Sequence, residues 1–184
     1  NLSNSGIDRI QIYVKEKPRT LVSHIGTGRH YNINSKSGRL QILFTDSDQR
    51  NNIYNTDIAS YYENMECIEE MHHPYVVITP DYMVYTADFS KLIEQHIQSE
   101  ADITLLYHAV DNAKDAYLNC NILNLNKQKG VLSIEPNHGN AKNRNIFMDT
   151  YIMKKDLFIE LIRKAKAISS AFTLADIINE LHNE

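Results

Sequence analysis

The chain has 184 residues, 42% of them apolar and 23% charged, which suits one globular domain with a buried core. A net charge of −4, with no basic stripe along any expected element, argues against a nucleic-acid partner. No apolar run approaches the roughly 18 residues of a membrane span, and the opening NLSNSG has neither an initiator Met nor a signal-peptide pattern.

Ile7–Val14 alternates apolar and polar residues as a strand does. Pro18 opens a helix through Leu21, Val22 and Ile25, and Gly26 and Gly28 end it. Leu40–Phe44 reads as a second strand and Asn51–Asn55 as a polar loop. Asp57–Met71 carries a helical stripe through Ile58, Tyr61, Tyr62, Met65 and Ile68, stopped by Pro74. Tyr75–Thr79 (YVVIT), a solid apolar run, suits a strand buried on both faces. Asp88–Ser99 is expected to be helical and Ile103–Val110 a strand. Tyr117–Leu125 and Val131–Ile134 read as strands joined at Lys129–Gly130, with a further strand at Ile146–Met153. Leu157–Ala167 and Leu174–Leu181 close the chain as helices. The alternation predicts a single α/β domain, a three-layer sandwich on a mostly parallel sheet, with a possible antiparallel return among the later strands.

In open α/β sheets ligands bind beyond the carboxyl ends of strands, which singles out Asp81, just past YVVIT. A carboxylate there could hold a divalent metal against phosphate oxygens; a turn residue after Pro80 is the competing reading, and composition alone favours it. The adjacent His72 and His73 point different ways and suit an exposed helix end better than a metal. Cys67 and Cys120 stand apart, without a neighbouring base, and are expected to be buried, reduced thiols of a cytoplasmic protein. Lys142 and Arg144 form a small basic spot in an Asn-rich loop, of a kind that is usually solvated surface. There is no G-x-G-x-x-G or Walker loop.

One stretch says more as a string than as a pattern. Lys17, Pro18, Leu21, His24, Ile25, Gly26, Gly28 and Tyr31 lie in a frame Lys-Pro-x-x-Leu-x-x-His-Ile-Gly-x-Gly followed by an aromatic residue. Asn4-Ser5-Gly6-Ile7 precedes it, and Ile53–Asn64 (IYNTDIASYYEN), Tyr75–Phe89 and Ile146–Asp156 (IFMDTYIMKKD) follow in order. Together these resemble the glucose-1-phosphate adenylyltransferases (ADP-glucose pyrophosphorylases) over nearly the whole chain. The resemblance implies a Rossmann-like nucleotidyltransferase domain. It also implies a magnesium-dependent reaction of ATP with glucose 1-phosphate that gives ADP-glucose and pyrophosphate.

Against that family, residues 1–184 read as a partial nucleotidyltransferase-like domain. The Gly-rich nucleotide loop is expected before residue 1, and the second metal carboxylate and a carboxy-terminal β-helix domain after residue 184. In the family's Trp-Tyr-Arg-Gly-Thr run only Tyr54 survives; Asn55 replaces Arg, Thr56 replaces Gly and Asp57 replaces Thr. Losing an Arg removes a bidentate phosphate donor, and an added Asp brings negative charge toward phosphate. Where the family has Val-Glu-Lys-Pro, the chain reads Ile134-Glu135-Pro136 and lacks the Lys. The turn after YVVIT is one residue longer than in catalytic members, which resembles the non-catalytic GlgD-type subunit. The resemblance therefore implies a regulatory subunit of a hetero-oligomer with a catalytic glucose-1-phosphate adenylyltransferase. No catalytic residue is assigned. A vestigial pocket for ATP or a sugar phosphate is expected at Tyr54, Asn55, Thr56, Asp57, Glu135 and Asp149, with Asp81 at the magnesium position. An active adenylyltransferase when full length, or another sugar-nucleotide transferase, are the alternatives.

Overall fold

The computed structural model describes residues 2, 5–7, 9–15, 19–25, 39–45 and 52–181. Lys17, Pro18, Gly26, Gly28 and Tyr31, which carry much of the resemblance, lie outside them, as does Asn4. The strands are β1 (Arg9–Val14), β2 (Arg39–Phe44), β3 (Tyr75–Ile78), β4 (Ile103–Val110), β5 (Asn121–Leu125), β6 (Val131–Pro136) and β7 (Arg144–Lys154). The helices are α1 (Arg19–Ile25), α2 (Asp57–Glu63), α3 (Met65–Glu69), α4 (Phe89–Ser99), α5 (Lys155–Ile168) and α6 (Leu174–Leu181), with a short 3-10 turn at Asn52–Tyr54.

β7 organises the larger sheet. β4 runs along one of its edges from Ile103↔Met153 to Val110↔Arg144. The other edge is shared: β3 pairs with its carboxyl half (Tyr75↔Lys154 to Ile78↔Tyr151) and β5 meets it at Ile146. β6 continues outward from β5. β1 and β2 form a separate parallel pair. The expected α/β architecture is present, but strand direction differs from expectation. Among the described residues β1·β2 is the one parallel ladder, and every pairing of β7 is antiparallel. The reason lies in the connections. β5 and β6 follow one another through a short turn and so pair antiparallel, and β7 then returns on the other side of β5, antiparallel to it.

Alternation assigns the two faces of the sheet. Val76, Ile78, Ile103, Leu105, Leu123, Ile134, Phe147, Tyr151 and Met153 belong to one core with Ile58, Ile68 and residues of α5 and α6. On the opposite face, Thr104 Oγ1 meets His96 Nδ1 of α4 at 2.7 Å, and the Tyr75 ring packs edge-on to His96. Helices therefore lie on both faces, which gives the three layers. Tyr13 ties β1 to the main core through Tyr61, ring centroids 5.0 Å apart, and Tyr61 in turn meets Phe158.

Three local expectations shift. The stripe from Asp57 to Met71 is two helices, because Asn64 breaks it at φ −107°, ψ 24° and bonds Ser60 O through its own amide; such side chains compete with the helical backbone. The strand expected from Tyr117 begins at Asn121, since Tyr117 and Asn119 adopt left-handed φ values of 57° and 67°. Cys67 and Cys120 are free but only half-buried.

Candidate functional site

The site forms where three segments meet: the amino end of α2, a bulge in β7, and the loop after β3. Each has a local cause. Thr56 caps α2, its Oγ1 accepting from Ala59 N at 3.2 Å, in the extended backbone that N-caps require. That cap puts Asp57 at the first helical position. Its Oδ1 accepts from Ile58 N at 2.7 Å and from Leu174 N at 3.1 Å. One carboxylate thus serves the amino ends of two helices, α2 and α6, where orphan N–H groups favour negative charge. α6 adds its own reciprocal cap: Thr173 N donates to Asp176 Oδ2 and Asp176 N to Thr173 Oγ1.

The bulge lies where β4 pairing steps from Leu106↔Thr150 to Tyr107↔Phe147, leaving Met148 and Asp149 unopposed. Asp149 takes a left-handed φ of 43°. The neighbouring Thr150 is fully buried, donates to Met148 O at 2.9 Å and is hydrogen-bonded to the Tyr85 hydroxyl. That last bond pins the loop after β3 to the bulge. Asp81 lies at the exposed start of this loop, with Tyr82 and Val84 exposed beyond it.

The electrostatics follow from burial. Desolvation raises the Asp57 carboxyl above its ordinary value, partly offset by its backbone donors and by Lys15. Burial, and then the charge of Asp57, push Asp149 up to about 6. Tyr61 and Tyr151 are also raised, first by burial and then by the neighbouring carboxylates. The result is a cluster of like charges with phenols that stay neutral.

Of the residues expected from sequence, Asp57 and Asp149 are brought together, and the Asp81 loop is anchored beside them. Tyr54 is exposed on the 3-10 turn, and Asn55 accepts from Lys15 Nζ through its carbonyl. Glu135 is not gathered in. It is exposed on β6, accepts from Ser133 Oγ at 2.7 Å, and is not among the charges acting on Asp57 or Asp149. Tyr85, Thr150 and Tyr151 were not singled out by sequence; a tyrosine in a loop and a threonine in a strand carry no local mark of a shared hydrogen bond. Among the described residues no group of three or more His, Cys, Asp or Glu is placed to hold a metal ion, and no helix is long and apolar enough to cross a membrane.

The family described as "Nucleotidyl transferase" matches residues 1–183. A glucose-1-phosphate adenylyltransferase of Clostridioides difficile is 25% identical over 167 residues, covering 90% of this chain and 43% of that protein. One from Clostridium perfringens is 29% identical over 153 residues, covering 83% of this chain and 39% of that protein. The chain thus spans about two fifths of the length of these relatives. Among solved structures, a Bacillus anthracis protein assigned as a glucose-1-phosphate thymidylyltransferase, crystallised with a sucrose, superposes with a TM-score of 0.70 at 15% identity. The match covers 97% of this chain and 65% of that one. At that identity the likeness speaks to the fold, which is the Rossmann-like nucleotidyltransferase fold.

Proposed function

The chain belongs to the nucleotidyl transferase family, and from that premise we propose that it acts as a regulatory subunit for a catalytic glucose-1-phosphate adenylyltransferase, in the manner of the GlgD-type subunit. The observation that carries this reading is the charge of the site. Two carboxylates, Asp57 and Asp149, share it, and burial, then the charge of Asp57, push Asp149 up to about 6. Transfer of a nucleotidyl group needs cations facing the phosphates as negative charge develops. Here Asn55 stands where the family places an Arg, and the cation acting on Asp57 is Lys15, which donates to the Asn55 carbonyl. Pro136 follows Glu135 where the family has a Lys.

In this reading the pocket at Tyr54, Asn55, Thr56, Asp57 and Asp149 binds ATP or a sugar phosphate weakly, and Glu135 stays at its margin. Asp81 offers a single exposed carboxylate. Magnesium accepts one or two carboxylates when phosphate oxygens and waters complete its octahedron, so these donors fit a metal that arrives with a phosphate-bearing ligand better than a resident one. When bound, the metal would supply charge neutralisation. The chain's own residues hold the loop and the bulge in register through Tyr85 and Thr150. Partnership with a catalytic homologue in the cytoplasm is part of the same proposal.

The test is an assay of the full-length protein with ATP, glucose 1-phosphate and magnesium, alone and then with a catalytic homologue. Little turnover alone, and a raised rate or altered affinity in the partner, is the expected result. Efficient turnover alone overturns the regulatory reading and supports an active adenylyltransferase, a second reading favoured by the similarity to glucose-1-phosphate adenylyltransferases. Turnover only with a different nucleotide or sugar phosphate would instead support another sugar-nucleotide transferase.

A further inference from the structure

A concavity of about 750 Å³ opens at one end of the β4·β7 ladder, between His108–Asn112, Tyr117 and Asn143–Asn145. Its nearest lining residue on β4, His108, is two residues from Leu106, the partner of Thr150, and on β7 Asn143–Asn145 precede the bulge. We propose that the concavity is a binding site for phosphate, as the free ion or as a monoester, gripped by Arg144.

Arg144 Nε is buried and has no hydrogen-bond partner. A guanidinium has five donors and no means of losing its charge, and buried donors are ordinarily satisfied. The orphan donor stands at the wall of an open concavity, where a ligand can reach the same group. Cross-strand partners share a face of a ladder. His108 pairs with Ile146 and Arg144 with Val110, so alternation puts the imidazole and the guanidinium on one face, one step apart diagonally. Asn112 and Asn143 add amides at the rim.

The opposite wall is built in advance. Asn137, 1% exposed, donates from Nδ2 to the carbonyls of Ala113 at 2.8 Å and Tyr117 at 3.0 Å, and its own backbone bonds Cys120 and Asn119. Ala113 N donates to Lys142 O at 2.9 Å, closing the loop onto the start of β7. Tyr117 is held at φ 57°, a conformation that a bulky residue keeps only when its surroundings enforce it.

A planar fork matches two oxygens of a phosphate, and the rim amides can serve the others. Asp111 also lines the concavity. Its charge opposes the anion and weakens the affinity, and its carboxylate can accept from a protonated phosphate oxygen. This inference does not depend on whether the chain regulates or catalyses.

The experiment is amide hydrogen exchange on the full-length protein, with sodium phosphate, with glycerol phosphate, and with sodium chloride at matched ionic strength. Calorimetry with both phosphate probes is run alongside. Saturable protection of peptides covering residues 108–117 and 143–146 is expected with phosphate and not with chloride. Tighter binding of glycerol phosphate would assign an ester as the ligand, and equal or weaker binding the free ion. Arg144→Met should weaken binding at least tenfold, with Arg144→Lys in between. Protection absent from these peptides, protection confined to the Asp57–Asp149 region, or full affinity in a folded Arg144→Met protein would overturn the proposal. The wild-type mapping stands whether or not the variant folds.

Discussion

Asp149→Asn should make the protein more stable at neutral pH. Asp149 rises from an ordinary 3.8 to about 6 through burial and the charge of Asp57. The folded chain therefore holds a proton more tightly than the unfolded chain. Stability from this group is fully present below pH 4 and is lost as pH rises through 6. At 1.36 kcal/mol per pH unit the interval amounts to roughly 3 kcal/mol. The carboxyl is half-buried, and solvent screening of its exposed part reduces the effect to about 1 kcal/mol. Asn removes the charge and also tolerates the left-handed backbone at φ 43°. The difference between variant and wild type in urea unfolding should be near zero at pH 4 and about 1 kcal/mol at pH 7.5. In a domain of this size that corresponds to a melting-point rise of about 2–4 °C. A variant no more stable than wild type at pH 7.5, or an advantage that does not change with pH, would refute the reasoning.

Asp57→Ala should cost about 2 kcal/mol, because Ile58 N and Leu174 N lose their acceptor at two helix ends; Asp57→Asn, which keeps an acceptor, should cost less in the same unfolding experiment. Asn137→Ala should cost about 2–3 kcal/mol by leaving the Ala113 and Tyr117 carbonyls without their donor, and should speed amide exchange across residues 113–120. Asn55→Arg should strengthen binding of ATP measured by calorimetry, since it returns a forked donor to the site; unchanged binding would count against placing Asn55 at the family's Arg position.

Elements with their own local grammar were legible in the sequence. The apolar run at Tyr75, bounded by prolines, became β3, though half-buried rather than buried on both faces, and the helix expected from Asp88 forms with Asp88 as its cap through Lys91 N. The helical stripe after Asp57 was right at Ile58 and Ile68 but not at Tyr62, which is exposed, and wrong in continuity, because Asn64 spends its amide on Ser60 O. The direction of β7 was hidden, since an apolar strand reads the same in either sense. The site was half legible. Resemblance pointed to Asp57 and Asp149, but their coupling joins segments far apart in the chain and rests on burial that no local pattern announces. Tyr117 and Leu118 looked like strand residues, yet both are exposed. What places them is Asn137, a single polar side chain sunk among backbone carbonyls.

Among the described residues β7 comes after β3 and β4 in the chain, and both pair with it. Until residue 154 has been synthesised, those two strands have the partner edge along which they will pair still missing. Nascent chains at that stage display unpaired, apolar strand edges, so this is the window in which a holding chaperone, or a neighbouring nascent chain, would compete for them.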